Sequence, residues 1–373
     1  MKPKQRAIEV LKMTKKERVL AAINHKESDK IPKGEICIEG KLANKLLGTD
    51  YPLDYQHYER DCKVRKLLNI DLINLGDWPC EEIGKDEKGN RLFRSIYGYE
   101  FAFSGMSKHI VKPPVEDIED ADKYTIPDIK RVSGEIIKKF KDTTDFFIFG
   151  QIGGPVSMLD EMFGMEDYMI YAMTNTNEMI SIGEKVIEHE IAKAKLFIDN
   201  GADGVFFADD IAFNTGIFLP PKIMKQMVYP FYKEAVKQIK NYKDVPVFFH
   251  SDGYIMDALD IIVDSGFDGL QSIQPSAGMD IGEVKKRYGD ILCLMGNIDL
   301  DQVMTFAEPN EVKRVVKETI DIAAHGGGFI LSTCNTLINA IPPENALVMY
   351  NTADKIDGSS MDNIISAIEG SHF

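Results

Sequence analysis

Val245-Pro-Val-Phe-Phe-His-Ser-Asp-Gly253 is an apolar run that turns polar at its end. Its Val and Phe residues, bounded by Pro246 and Gly253, fit a strand covered on both faces, as in the parallel sheets of α/β proteins. His250 and Asp252 follow at the carboxyl end. In a barrel or open α/β sheet that end is where ligands bind, and the spacing puts an imidazole and a carboxylate on one side of the pleat. The plain alternative is a histidine satisfied by a neighbour and an aspartate opening an Asp-Gly turn.

Outward from this strand the same unit recurs. Upstream lie strand candidates at 31–38, 71–76, 146–152 and 204–210; downstream lie 267–274, 291–299 and 327–335. Helical patterns fall between them at 158–175, 178–199, from Pro220 with a kink expected at Pro230, at 280–288, at 309–324 and from Pro342. Eight strands alternating with helices imply parallel pairing, so the expected fold is a (β/α)8 TIM barrel. We read 1–373 as one domain, with the barrel over 30–355 and an insertion over 77–145 between the second and third strands. The insertion carries a turn signal at Lys88-Gly-Asn90 and is expected to form a β-hairpin over 83–111. An N-terminal helical extension is marked by Thr14 followed three residues later by Glu17, a capping-box arrangement.

Composition limits the partners. Forty-four basic against fifty-nine acidic residues give a net charge of −15, which repels a nucleic-acid backbone. No apolar run approaches the roughly 20 residues needed to cross a bilayer, and the lysine-rich start lacks the apolar core of a signal peptide. Cys37, Cys62, Cys80, Cys293 and Cys334 form neither a disulfide framework nor a Cys-x-x-Cys pair. A cytoplasmic, reducing environment is therefore expected.

The polar residues that close each apolar run are Glu35 and Glu39, Gln151, Asp209 with Asp210, His250 with Asp252, Gln271 and Gln274, Asn297 with Asp299, and Cys334 with Asn335. In a barrel they share one mouth. Any single one reads as turn chemistry, but the repetition at successive strands does not. Imidazole nitrogen, thiolate and carboxylate oxygen are zinc ligands, and His250 and Cys334 are the histidine and cysteine at this face, so they are the candidate metal ligands. Cys293 falls early in its strand and reads as core. His25, His57, His109, His189, His325 and His372 lie on helices, loops or the tail and read as structural.

The segments 18–32 (Arg18-Val-Leu-Ala-Ala-Ile-Asn-His through Ile31-Pro32), His250-Ser-Asp-Gly253, Met295-Gly-Asn-Ile-Asp299, 326–334 ending in Ser332-Thr-Cys334, and Ile341-Pro-Pro-Glu-Asn345 resemble the uroporphyrinogen decarboxylase superfamily. That resemblance implies a barrel and either of two activities, tetrapyrrole decarboxylation or zinc-dependent methyl transfer with a corrinoid protein. The decarboxylases carry an arginine-rich motif after the first strand, whereas this chain reads Gly34-Glu-Ile-Cys-Ile-Glu-Gly-Lys-Leu42, with acids where a polycarboxylate needs positive charge. The methyltransferase branch that charges coenzyme M has His-x-Cys at the fifth strand; here Asp252 replaces that cysteine. One thiolate with nitrogen and oxygen ligands leaves zinc a stronger Lewis acid than two or three thiolates do, which suits an oxygen leaving group. The resemblance thus implies an O-demethylase that passes methyl from a methoxy compound to the cobalt of a corrinoid (cobalamin-type) cofactor. Asp209, Asp210 and Asp252 would be catalytic or complete the metal site, and Gln151, Gln274 and Asn297 would orient the substrate. No corrinoid-binding module is visible, so the cofactor would arrive on a partner protein, and a homodimer is compatible with the same pattern. The alternatives are methyl transfer from a methylcorrinoid to a thiol or tetrahydrofolate, and decarboxylation of a smaller acid.

Overall fold

A computed structural model describes residues 12–104 and 107–356; the tail residue His372 lies outside them. Thr14 Oγ1 accepts from the Glu17 N–H, and the Glu17 carboxylate accepts in return from the Thr14 N–H, so the capping box starts helix Lys15–Ile23. Seven parallel strands follow in a single curled sheet: β1 Leu72–Leu75, β2 Phe147–Gly153, β3 Gly204–Ala208, β4 Val247–Ser251, β5 Gly269–Ser272, β6 Cys293–Ile298 and β7 Phe329–Thr333. Their order in the sheet is their order in the chain. The strands read as unbroken apolar runs because both faces are covered. Phe147, Phe149, Phe206, Phe248, Met295 and Ile330 fill the space inside the curl, while Phe207, Phe249, Leu270, Leu294 and Leu331 pack outward on the helices.

The edges of the sheet meet through residues 32–34. Leu331 N donates to Pro32 O, Gly34 N donates to Leu331 O, and Asp71 N donates to Lys33 O. The full strand expected at 31–38 is instead a pair of isolated bridges at Lys33 and Ile38. Pro32 has no N–H to give, and a Cβ at Gly34 would meet Met295 and Leu72 at 2.8 and 2.9 Å, so this segment is shaped by close approach to the interior rather than by a regular ladder. Buried charge reinforces the join: Lys33 Nζ donates to both Asp354 oxygens at 2.8 Å, and Asp71 accepts from Arg18 and from the Lys33 N–H.

Three further expectations change. The insertion forms a four-stranded antiparallel sheet, Cys80–Lys85, Arg91–Ser95, Glu100–Ser104 and Ser107–Lys112, rather than one hairpin. The first turn is where Lys88-Gly-Asn90 placed it; the second, at Gly98 with φ 93°, is hidden because aromatic residues flank it. The helix expected over 158–175 is two, Pro155–Phe163 and Met165–Thr174, broken at Gly164 with φ 82°. The kink expected at Pro230 is taken up by a π-helical turn over Met224–Val228, which leaves Pro230 in the first turn of helix Tyr229–Tyr242, where its missing N–H costs nothing.

Candidate functional site

Alternation along β3 separates the adjacent acids. Asp209 lies in the wall between sheet and helices. Its Oδ1 accepts from the Ser157 N–H at 2.7 Å and its Oδ2 accepts from the Tyr232 hydroxyl at 2.5 Å. Fully buried, its carboxyl is pushed up to about 7. A Cβ at Gly154 would sit 2.2 Å from Asp209, so this carboxylate and the start of helix Pro155–Phe163 are fitted to each other. The structure therefore gives Asp209 a pinning role and does not bring it to the mouth. Asp210, on the other side of the strand, does reach it.

Asp210, His250 and Asp252 each offer a ligand atom within 4.8 Å of the other two. His250 Nε2 lies 3.8 Å from Asp210 Oδ1. A tetrahedral zinc with bonds of ~2.0–2.3 Å puts its ligand atoms roughly 3.3–3.7 Å apart, so this set fits the ion after a small contraction. The carboxylates are held in place. Asp252 accepts from Ser272 Oγ at 2.7 Å and from Asn335 Nδ2 at 2.5 Å, and its own N–H donates to Asp210 Oδ1 at 2.9 Å. Burial in the concave mouth pushes the Asp210 carboxyl up, opposed by His250 and aided by Asp252, although its outer side is exposed.

The imidazole is fixed by Gln271 on β5, a residue that sequence reasoning placed at the mouth without giving it a role. The Gln271 amide nitrogen donates to the carbonyls of Thr333 and Cys334, both at 3.2 Å. Its oxygen must then face His250 Nδ1, with which it makes a short contact. An amide oxygen only accepts, so Nδ1 carries a proton, and in the neutral tautomer this selects the lone pair is on Nε2, the nitrogen on the Asp210 side.

Cys334 is not part of the three-residue cluster. It is buried, and burial pushes its thiol up, with Asp252 adding to the effect. Its neighbours connect it to the site, Asn335 through Asp252 and its own carbonyl through Gln271. Asn297 and Gln274 hold the strand ends. Ser272, Ile273 and Asn297 have φ of 96°, 52° and 69°, a left-handed conformation that is costly for β-branched Ile273. The Asn297 amide donates to Ile273 O at 2.8 Å, and Gln274 Oε1 accepts from the Gly253 N–H at 2.9 Å. Gln151, on β2, accepts from Asn74 Nδ2 on the opposite part of the rim. Glu35, from the joining segment, is fully buried and accepts from Tyr350 and Thr333; burial pushes its carboxyl up to about 7.

The family model described as Uroporphyrinogen decarboxylase (URO-D) matches residues 95–356. Among characterised proteins, a methylcobamide:CoM methyltransferase of Methanosarcina barkeri is 24% identical over 211 residues, 57% of this chain and 59% of its own length. The chain therefore spans well under two thirds of that relative. A uroporphyrinogen decarboxylase of Trichodesmium erythraeum is 22% identical over 275 residues, 69% of this chain and 73% of its own. Among solved structures, a methyltransferase from Methanosarcina mazei superposes with a TM-score of 0.74 at 20% identity, covering 92% of this chain and 99% of that one, which establishes the shared barrel-like fold. With more than half of its length inside the family model and its acids, imidazole and amides gathered where that fold binds ligands, the chain belongs to the uroporphyrinogen decarboxylase family.

Proposed function

We propose that this enzyme transfers methyl from a methoxy compound to the cobalt of a corrinoid carried by a separate protein. The observation that carries the reading is the oxygen-rich donor set, Asp210, His250 and Asp252, at the barrel mouth. His250 and two carboxylates would hold a zinc ion, with Cys334 as a further proposed ligand. A zinc ion in such a set supplies Lewis acidity toward an ether oxygen. The chain's own part is positional. Gln271 holds the His250 Nδ1 proton and so leaves Nε2 as the nitrogen offered to a metal, Ser272 and Asn335 hold Asp252, and Asn297 locks the strained turn at Ile273. Gln151 and Gln274 are the proposed contacts to the donor. Among the described residues no helix is long and apolar enough to cross a membrane.

With a reduced corrinoid protein supplied in trans, a methoxy donor should convert the cobalt spectrum to the methylated form only when this protein is present. Asp252→Cys should slow that conversion by making the site more electron-rich. A second reading, transfer from methylcorrinoid to a thiol or tetrahydrofolate, is favoured by the similarity to the methylcobamide:CoM methyltransferase. Inertness toward every methoxy donor together with demethylation of methylcorrinoid onto a thiol would establish that direction instead. Decarboxylation of a smaller acid is a third reading, supported by the family match and by the similarity to a uroporphyrinogen decarboxylase.

A further inference from the structure

Trp78 is the chain's single tryptophan and stands just past the carboxyl end of β1. Leu72 packs inside the curl while Ile73 and Leu75 pack outward, so alternation turns Asn74 and Gly76 toward the interior. On β2, with Phe147 and Phe149 inside and Ile148 and Ile152 outside, the same alternation turns Gln151 inward. A Cβ at Gly76 would lie 2.9 Å from Trp78 Nε1 and 3.5 Å from Gln151 Cβ. The N–H edge of the indole therefore takes the space a side chain at position 76 would occupy, on the mouth side of the wall and beside Gln151.

The face of the ring is held from the helix layer. Lys193, on helix Thr176–Asp199, is fully buried, and its Nζ lies 3.2 Å from the centre of the Trp78 ring. Among the described residues this ammonium has no hydrogen-bond acceptor, and its ion-pair partner Glu190 stands off at 3.6 Å. Glu190 accepts instead from the Gly153 N–H at 2.7 Å and from the Tyr97 hydroxyl at 2.9 Å. A buried cation short of acceptors is stabilised by the π face beside it, and in turn fixes that ring. Pro79 adds to the rigidity by restricting the Trp78 backbone to extended conformations. The indole thus straddles the rim, its face on Lys193 and its N–H edge toward the mouth. Trp78 is half-buried, and among the described residues no acceptor meets its N–H, a group that only donates and ordinarily finds a partner. Gln151 Oε1 accepts from Asn74 Nδ2, which leaves the Gln151 NH2 as a second donor next to it.

We propose that Trp78 is a substrate-binding residue: its N–H, with the Gln151 amide beside it, holds an acceptor oxygen of the substrate, and Lys193 is the positioning residue that seats the indole. The acids and imidazole of the metal cluster lie on β3 and β4, whereas these N–H donors lie at the ends of β1 and β2, so the two ends of a bound molecule meet different chemistry. That the molecule is the methyl donor, with its acceptor oxygen remote from the transferred methyl group, rests on the methyl-transfer reading. The N–H site itself does not depend on that reading.

The test uses the full chain with zinc added and no corrinoid protein, titrated by calorimetry and followed by the emission of its single tryptophan. The probes are para-methoxybenzamide, para-methoxybenzoate and para-methoxytoluene, which differ in the acceptor oxygen opposite the ether. The first two should shift Trp78 emission and bind more tightly than the third; tighter binding of the amide identifies the oxygen as a neutral carbonyl, tighter binding of the acid as a carboxylate. Trp78→Phe keeps a ring on Lys193 but loses the N–H, and should weaken the first two about 3–10-fold, the worth of one hydrogen bond, while leaving the third unchanged. Lys193→Met should expose the indole to quenching by acrylamide and weaken the same two probes, with circular dichroism and zinc affinity as in the wild type. Should that variant not fold because Glu190 is left unpaired, the double variant Lys193→Met/Glu190→Gln makes the same comparison. Equal affinity for all three probes, or undiminished affinity in Trp78→Phe, would overturn the binding role; unchanged quenching in the Lys193 variants would overturn the seat. Binding as expected without demethylation leaves the N–H site standing and removes the methyl-transfer reading, and demethylation indifferent to Trp78→Phe does the reverse.

Discussion

Replacing Glu35 by Gln should change how stability depends on pH. Glu35 is fully buried in the joining segment, with Tyr350 donating to one oxygen at 2.7 Å and Thr333 Oγ1 to the other at 2.8 Å. These donors favour the carboxylate, yet burial outweighs them and raises the carboxyl from its ordinary 4.5 to about 7. Between these values the unfolded chain has lost the proton that the folded chain still binds. Stability contributed by this group is then complete below about pH 4.5 and falls as pH rises through that window, by at most ~1.4 kcal/mol per pH unit. Over the whole interval the loss approaches about 3 kcal/mol, an upper figure because local water entry reduces it. Glu35→Gln removes the slope whatever constant offset its NH2 causes among the donors. Urea unfolding of both proteins at several pH values from 4.5 to 7.5 measures the difference; Asp209, shifted in the same direction, is present in both and cancels. The variant should gain about 2–3 kcal/mol on the wild type across this range. A difference that stays constant with pH would show that Glu35 is ionised in the folded protein and would refute the reasoning.

Gln271→Leu should weaken zinc binding about 10–100-fold in a chelator competition, since the His250 ring loses the acceptor that selects its tautomer. Gln271→Glu keeps an acceptor and should lose less, so equal losses in the two variants would count against tautomer control. His250→Ala should strip most of the metal with the fold intact, by metal analysis and circular dichroism. Cys334→Ala should lower the zinc affinity as a lost ligand does, and unchanged affinity would assign the coordination to Asp210, His250 and Asp252 alone.

The parts of this fold that could be read in the sequence are those where local and global preferences agree. Strands such as 247–251 and 204–208 are apolar on both faces because they are covered on both, and their polar endings mark the mouth. Alternation also separates Asp209 from Asp210, a distinction that fails only when the position of the strand's last pleat is unknown. Other features left weaker traces. The segment at 31–38 has strand composition, but proline and close packing reduce it to single bridges. Arg65 is buried on a helix rich in charged residues, so nothing local distinguishes it from a solvated arginine. Gln271 was visible at its strand end, but its role depends on carbonyls contributed by β7, about sixty positions away in the chain.

The join between β7 and β1 has a consequence for motion. Elsewhere each strand is hydrogen-bonded directly along its neighbour, whereas here three backbone bonds through Pro32, Lys33 and Gly34, with two more from Leu337 to Cys37 and Glu39, carry the continuity of the wall. Local opening draws on the regions with the fewest such bonds, which makes this seam a low rung on the ladder of partial unfolding. It also borders a small cavity through Ile36, Cys37 and Ile38. A small parting of the seam would widen that cavity while leaving β3 to β6, and the cluster around His250, in register.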